Sequence, residues 1–589
     1  MYCPECGTKI EDDARFCPEC GTRMEQATHN ADDVQECAAE DSKDNDIVIS
    51  CIILTNINLL AKSLHADAND IRTLLQQFID IKKQAGIRYL LADASNYTYC
   101  KRGFLGARKK VSLDANSSIW DYTDILMDIH THEKSGKRIV SEYVFIVGGN
   151  DVIPMPCTKN YVAHNKDNKT VDSDILYSFP YGKEMLANLE NLEIFKYDQL
   201  FHVGRLPFGK DSTLDDLCSY LQRDIENTYG IPFTEAYAQC DPNWKNVSTR
   251  VAAESSLIEY LRNFDGKIIE ECYYNRLILS PHVDIRNLNQ IFHTSASLYY
   301  YNMHGSNALE TPFYLGESID KNICVPGIAP RHMGSIQTPN AVFSEACYGA
   351  RFIGLDKEKS MMLSSIHSNT LNFVGSSRVS WGATDNGASS PNNVGVSNAD
   401  IMAAVYIKAL LEGYNMGQAL LIARNAVFNS RQPGDPHAAL TIVEFNLFGD
   451  PTLYIVASEE LLNKAKQEKQ INTKPTEKKP LADKNDAVSY TREDIKNEEE
   501  EGPTSLLQQV RNAVNSNIAQ MHEIIGKELY ATYGIEPRPA DSIFKIKYAD
   551  GRETYHFNYK TSDKNSDIEQ YCSVTASPDG KIENVLHSK

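Results

Sequence analysis

The chain has 589 residues, of which 42% are hydrophobic; that supports a buried core and roughly three or four domains. Its formal net charge of −20 argues against generic binding to nucleic acid or anionic membranes, so neither is an expected partner. It has no apolar run of about 18 residues to cross a bilayer and no basic-then-apolar leader behind Met1, and its 14 cysteines, four clustered at the front and the rest scattered, fit a reducing compartment. A cytoplasmic protein is expected.

Residues 1–24 carry Cys3, Cys6, Cys17 and Cys20 as two CPECG knuckles. Gly7 and Gly21 supply the turns, and four thiolates at this spacing suit tetrahedral Zn2+ in a closed, structural site. The segment resembles the short zinc ribbons at the front of many bacterial proteins. Its expected task is docking to a protein partner or to another domain. Residues 25–46 are acidic and nearly free of large apolar residues, and read as a solvated linker.

Residues 47–230 alternate strand-like and helix-like patterns. DIVISCIILT, IRYLLADA, EYVFIVGG and HVGRLP read as buried strands, and the stretch from Leu59 to Gly86 reads as helix. Alternation of this kind implies a parallel sheet with helices on its faces. His130 and His132 lack a carboxylate and a third ligand, and read as a polar helix end.

Residues 231–457 hold the chemistry. The aromatic run SLYYYNM stops at His304-Gly305, and NAVFSEA stops at Cys347, 43 positions later. Two parallel neighbouring strands would bring both tips to one sheet edge, where sites in open α/β sheets form. A thiol and an imidazole there suit acyl transfer, with Cys347 as nucleophile and His304 as proton donor to the leaving amine. The backbone amides of Gly305 and Cys347 are candidate donors to the developing oxyanion. The stretch between the tips is rich in Gly and Pro and reads mainly as loop. Cys324 and His332 lie in it as a rival pair, though neither ends a strand-like run. Residues 399–428 read as a helix pair broken near Gly413 and Gly417.

YYYNMHGS and VFSEACYGA resemble the His-Gly and Ala-Cys strand ends of caspase-fold cysteine peptidases, and within them the gingipain-like family. EYVFIVGGNDVIP, FHVGRLPF and EFNLFGDPTLYIV match further stretches in the family's order. The resemblance implies a caspase-like, mostly parallel sheet flanked by helices, and a cysteine endopeptidase acting on protein or peptide substrates with no cofactor for hydrolysis. The expected subdomains are 47–230, without catalytic residues, and 231–457, catalytic. Unlike the gingipains, which are secreted, this chain is expected to stay inside the cell. The resemblance also puts Arg378 and Trp381 near the primary specificity pocket. Caspases hold an acidic side chain with an arginine near this place, so an acidic or polar residue before the scissile bond is expected. No third catalytic residue is assigned, and Glu345 is expected to point away from Cys347 or into core polar contacts.

Residues 458–503 are rich in Lys, Glu, Asn and Pro and read as a second linker. Residues 504–589 read as a small α+β domain: one helix, then two hairpins turning at Asp550-Gly551 and Asp579-Gly580. Its expected role is recognition of a substrate or partner. The alternative for the whole chain is a catalytically silent scaffold working through its ribbon and C-terminal domain.

Overall fold

The strands of the large sheet are almost all buried, only the short Tyr273–Tyr274 being half-buried throughout, which is why their sequence runs are largely apolar rather than alternating. In chain order these strands are β1 (Cys51–Thr55), β2 (Tyr89–Asp93), β3 (Tyr143–Val147), β4 (His202–Leu206), β5 (Ala236–Cys240), β6 (Tyr273–Tyr274), β7 (Leu277–Leu279), β8 (Leu298–Asn302), β9 (Asn340–Ser344), β10 (Thr370–Ser376) and β11 (Phe445–Gly449). The structure is a computed structural model. It describes residues 46–589 apart from 464–489, 496–517 and shorter stretches. The four-cysteine segment, the acidic linker, most of the predicted helix after residue 504 and His132 lie outside the described residues.

The sheet order is β6-β7-β5-β8-β9-β10-β11-β4-β3-β1-β2. The two predicted halves join through β11, the strand of the FGDP stretch. It runs antiparallel to β10 and parallel to β4. Within each half the long neighbours are parallel, and the short β6 alone is antiparallel to β7. Residues 48–589 form one compact unit.

Helices cover the sheet as the patterns require. Ala68–Gln84 buries Ile71, Leu75, Phe78 and Ile79, one face of a 3.6-residue period. It packs beside Leu214–Glu226, whose capping box is closed by the Thr213 amide donating to Asp216 at 2.8 Å. The helix pair expected in the catalytic half forms as Ala399–Leu411 and Met416–Asn429, with the Asn415 side chain capping the second.

Three local outcomes differ from the reading of the sequence. The stretch after His304 is not mainly loop: His304–Gly305, Tyr314–Glu317 and Cys324–Ile328 form a three-stranded antiparallel ribbon. Its strands are too short for a periodic signal. Tyr490–Ile495 is a strand although it lies in the charged linker region, because pairing with Ser542–Tyr548 satisfies its backbone. The C-terminal sheet also recruits a strand from the catalytic half. Its order is Trp381–Gly382, Ile582–Ser588, Tyr571–Ala576, Glu553–Lys560, Ser542–Tyr548, Tyr490–Ile495. The two hairpins form with Gly551 and Gly580 at φ 88° and 84°, backbone angles that favour glycine.

Candidate active site

The strand β8 is paired in parallel with β9 from Leu298↔Ala341 to Tyr301↔Ser344. The register persists past the strands, since the Glu345 amide donates to the Tyr301 carbonyl at 2.9 Å. Equal strand lengths thus deliver His304-Gly305 and Cys347 to one edge. The approach is so close that a Cβ on Gly305 would sit 1.6 Å from the Cys347 carbonyl oxygen, so no side chain fits there. Beyond Cys347 the chain turns sharply: Tyr348 has φ 55° and its amide donates to the Arg378 carbonyl at 2.7 Å. A non-glycine residue held in that region marks a turn fixed by its surroundings.

His304 and Cys347 are both buried, at 4% and 5% exposure. The His304 ring meets Trp244 edge-on at 4.5 Å between centroids. Its Nε2 lies 3.8 Å from Glu317 Oε2, 4.0 Å from Asp241 Oδ2 and 3.0 Å from the Gln570 side-chain amide. Asp241 stands at the tip of β5, so three adjacent strand ends contribute to the site. Burial pushes the Asp241 carboxyl up to about 6, although His304 and the amides of Glu317 and Asn243 favour its charge. Burial also opposes charge on Glu317, but His304 and Gln570 hold it below the usual carboxylate range. Burial drives the Cys347 thiol well above its ordinary pKa, against the Ser380 amide, which donates to Sγ at 3.3 Å.

The edge is occupied by the chain's own end. Ile582–Ser588 pairs antiparallel with Trp381–Gly382, putting Ser588 opposite Trp381 and His587 opposite Gly382. The Lys589 amide then donates to the Ser380 carbonyl at 3.0 Å. The main-chain oxygen of Lys589 accepts from the amides of Cys347, at 3.2 Å, and Gly305, at 3.5 Å. The lysine side chain enters a closed pocket. Its Nζ is 2.9 Å from Asp400 Oδ1 and 3.7 Å from Glu345 Oε2, donates to the Ala383 carbonyl at 3.1 Å, and lies 4.6 Å from the centre of the Trp244 ring. Burial opposes the lysine charge, but Asp400 and Glu345 outweigh it and raise its pKa. Asp400 is fixed by the amides of Ala383 and Ser397, at 2.8 and 3.0 Å. Gly382 leaves the passage open: a Cβ there would lie 2.3 Å from Lys589 Cε.

His304, Gly305 and Cys347 converge on one edge. Trp381 contributes backbone pairing to the strand ending in Lys589, while its buried indole packs edge-on against His437 at 5.2 Å. The indole beside the lysine is that of Trp244. Arg378 is turned elsewhere: its guanidinium pairs with Asp172 at 2.7 Å and donates to the Thr170 carbonyl at 3.0 Å. Glu345 points into the lysine pocket, where it accepts from Tyr300 at 2.6 Å. The rival cysteine and histidine have separate partners. Cys324 Sγ receives the Gln570 amide at 3.7 Å, and His332 Nδ1 accepts from Ala329 at 3.0 Å.

Asp241, Trp244, Glu317, Asp400, Gln570 and Lys589 were not singled out as site residues. An acid directly after the apolar run that ends at Cys240 was the one available signal for them, at Asp241. The candidate zinc ligands Cys3, Cys6, Cys17 and Cys20 lie outside the described residues. Among the described residues, no helix is long and apolar enough to cross a membrane.

Comparison with known proteins bears on both parts of the chain. Residues 52–456 match the profile of Peptidase family C25, and residues 2–24 match a zinc-ribbon domain. No curated protein matches. Among solved structures, one titled "Structure of Protease" is similar at 10% identity with a TM-score of 0.43, over 92% of this chain and 97% of that one.

Proposed function

This chain belongs to Peptidase family C25, and from that premise we propose that it is a cysteine endopeptidase in which Cys347 and His304 form the catalytic pair. The observation that carries the reading is the Lys589 main-chain oxygen, which accepts from the amides of Gly305 and Cys347 beside the thiol. A substrate carbonyl seated there has its carbon next to Sγ and its oxygen between two fixed donors. Each such donor is worth about 10²–10³ in rate, because it meets charge that develops only in the transition state.

The steps follow from those positions. The Cys347 thiol gives its proton to His304, and Sγ attacks the carbonyl carbon. His304 passes that proton to the departing amine as the peptide bond breaks. Water then attacks the thioester, gives a proton to His304, and releases the new carboxylate, while the proton returns to sulfur. Asp241 and Glu317 face Nε2, which leaves Nδ1 for exchange with the thiol. Their negative charge favours the imidazolium that forms in between.

The lysine pocket sets the preference. Asp400 and Glu345 at its end, the Trp244 face along its wall and the absence of a side chain at Gly382 suit a long cationic side chain before the scissile bond. The acidic preference argued from Arg378 has lost its cation to Asp172. The four-thiol ribbon, a soft donor set of the right number, is proposed to bind Zn2+ as a structural ion with no part in hydrolysis.

A thiol-directed peptide probe ending in lysine tests the catalytic pair. Labelling is expected to vanish in Cys347→Ala and to survive in Cys324→Ala. Labelling that follows Cys324 instead would move the nucleophile, and none in any form would favour the silent scaffold.

A further inference from the structure

Residues 582–589 lie in the cleft in the register of the acyl side of a substrate. Their strand adds antiparallel to Trp381–Gly382, the Lys589 amide reaches Ser380, its main-chain oxygen sits between the two amides at the thiol, and its side chain fills the acidic pocket. Strand addition of this kind takes main-chain affinity from the sheet edge and specificity from the pocket. We propose that the cleft takes a peptide strand with a lysine side chain in the acidic pocket, and that residues 582–589 are its resident ligand, holding the site closed until they are displaced. The assignment of register rests on the peptidase reading; the occupancy does not.

Three further observations agree with a closed state. The seated strand leaves Cys347 only 5% exposed, and the buried thiol holds its proton more tightly than an ordinary cysteine. Gln570, which leads into the neighbouring strand, presents its amide nitrogen to His304 Nε2 at 3.0 Å. That contact occupies the ring edge that Asp241 and Glu317 also face. The closure is also built to open. Ile582–Ser588 is paired along its length with Tyr571–Ala576 inside the C-terminal sheet, whereas among the described residues its strand pairing with the catalytic half is limited to Trp381 and Gly382. Releasing Trp381–Gly382 therefore leaves the hairpin intact.

A tethered ligand competes at an effective concentration of ~1 mM. Substrate affinity falls in proportion to the small fraction of open molecules. Lys589→Glu sets a carboxylate against Asp400 and Glu345 and should expel the tail; deletion of residues 587–589 removes it outright. Both variants are expected to alkylate Cys347 with iodoacetamide about tenfold faster or more, and to cleave a lysyl-peptide reporter faster by a similar factor. Lys589→Arg should stay slow. A synthetic peptide of residues 582–589 added to the deletion variant should restore slow alkylation, and the same peptide ending in glutamate should not. Equal alkylation rates in the unaltered chain and both variants would overturn the proposal. Rapid lysyl cleavage that Lys589→Glu leaves unchanged would also overturn it while keeping the peptidase reading. Faster alkylation with no peptide cleaved in any form would keep the closed tail and sink the peptidase reading.

Discussion

Arg205 in the first half and Lys589 at the chain's end are both fully buried cations, and they are held in different ways. Arg205 pairs with both oxygens of Asp174 at 2.7 Å and donates to the carbonyls of Gly148 and Ile153, each at 2.9 Å. Its anchor is a central strand, β4, and every partner belongs to the same half of the sheet. Lys589 arrives at the end of the strand Ile582–Ser588, whose partner on one side is only the two-residue Trp381–Gly382, and faces two acids of the catalytic half, Asp400 and Glu345. Two acids around one cation leave that pocket acidic once the lysine departs. Burial and Asp400 already raise the Glu345 pKa well above the carboxylate range. The first arrangement ties loop carbonyls to a central strand, and the second holds an exchangeable group.

That contrast can be broken by removing one acid from each. Asp174→Ala strands Arg205 without a counter-charge, and is expected to cost about 3–5 kcal/mol of folding stability, read by denaturant unfolding. Its lysine preference, where protein survives, should be unchanged. Asp400→Asn should cost much less stability, because the tail can lift out and hydrate instead of the fold opening. Its loss should fall on kcat/KM for lysyl peptides, about a hundredfold, as expected when one partner of a buried charge pair is removed. Equal unfolding costs for the two variants would erase the distinction between a scaffold cation and a ligand.

A smaller effect concerns pH. The Asp241 carboxyl titrates at about 6, raised from its ordinary range by burial. Above that pH it is charged and favours the His304 imidazolium; below it the charge is lost. Hydrolysis by the Lys589→Glu variant should therefore fall several-fold, by roughly one pH unit below 6, in the way a carboxylate base titrates. The same group acts oppositely on stability. Its folded-state pKa is raised, so its contribution is present below the unfolded value and fades as pH rises through about 6. Asp241→Asn should remove the acid limb near 6 from the rate profile; an unchanged limb would assign it to another group.

Much of this site was readable before the fold. Apolar runs that stop at His304-Gly305 and at Cys347 mark strand tips, because a strand buried on both faces reads as an apolar run that ends where the chain leaves the core. The helix pair at Ala399–Leu411 and Met416–Asn429 was legible from periodicity and its glycine break. The lysine pocket was not. Asp400 and Lys589 are 189 positions apart, and neither carries a local signal, since an acid in the first turn of a helix and a lysine at a strand end are ordinary. Arg378 was misleading for the same reason: its sequence distance from Cys347 is short, but its guanidinium is drawn to Asp172, 206 positions earlier. The Tyr490–Ile495 strand was hidden because its charged residues look like linker until a partner strand satisfies the backbone.

The most direct test of the account is a peptide library varied at the residue before the scissile bond, cut by the Lys589→Glu chain with and without Cys347→Ala and read by mass. Cleavage after lysine that disappears with the sulfur is the predicted result. Cleavage after acidic residues, or cleavage that survives Cys347→Ala, would contradict it.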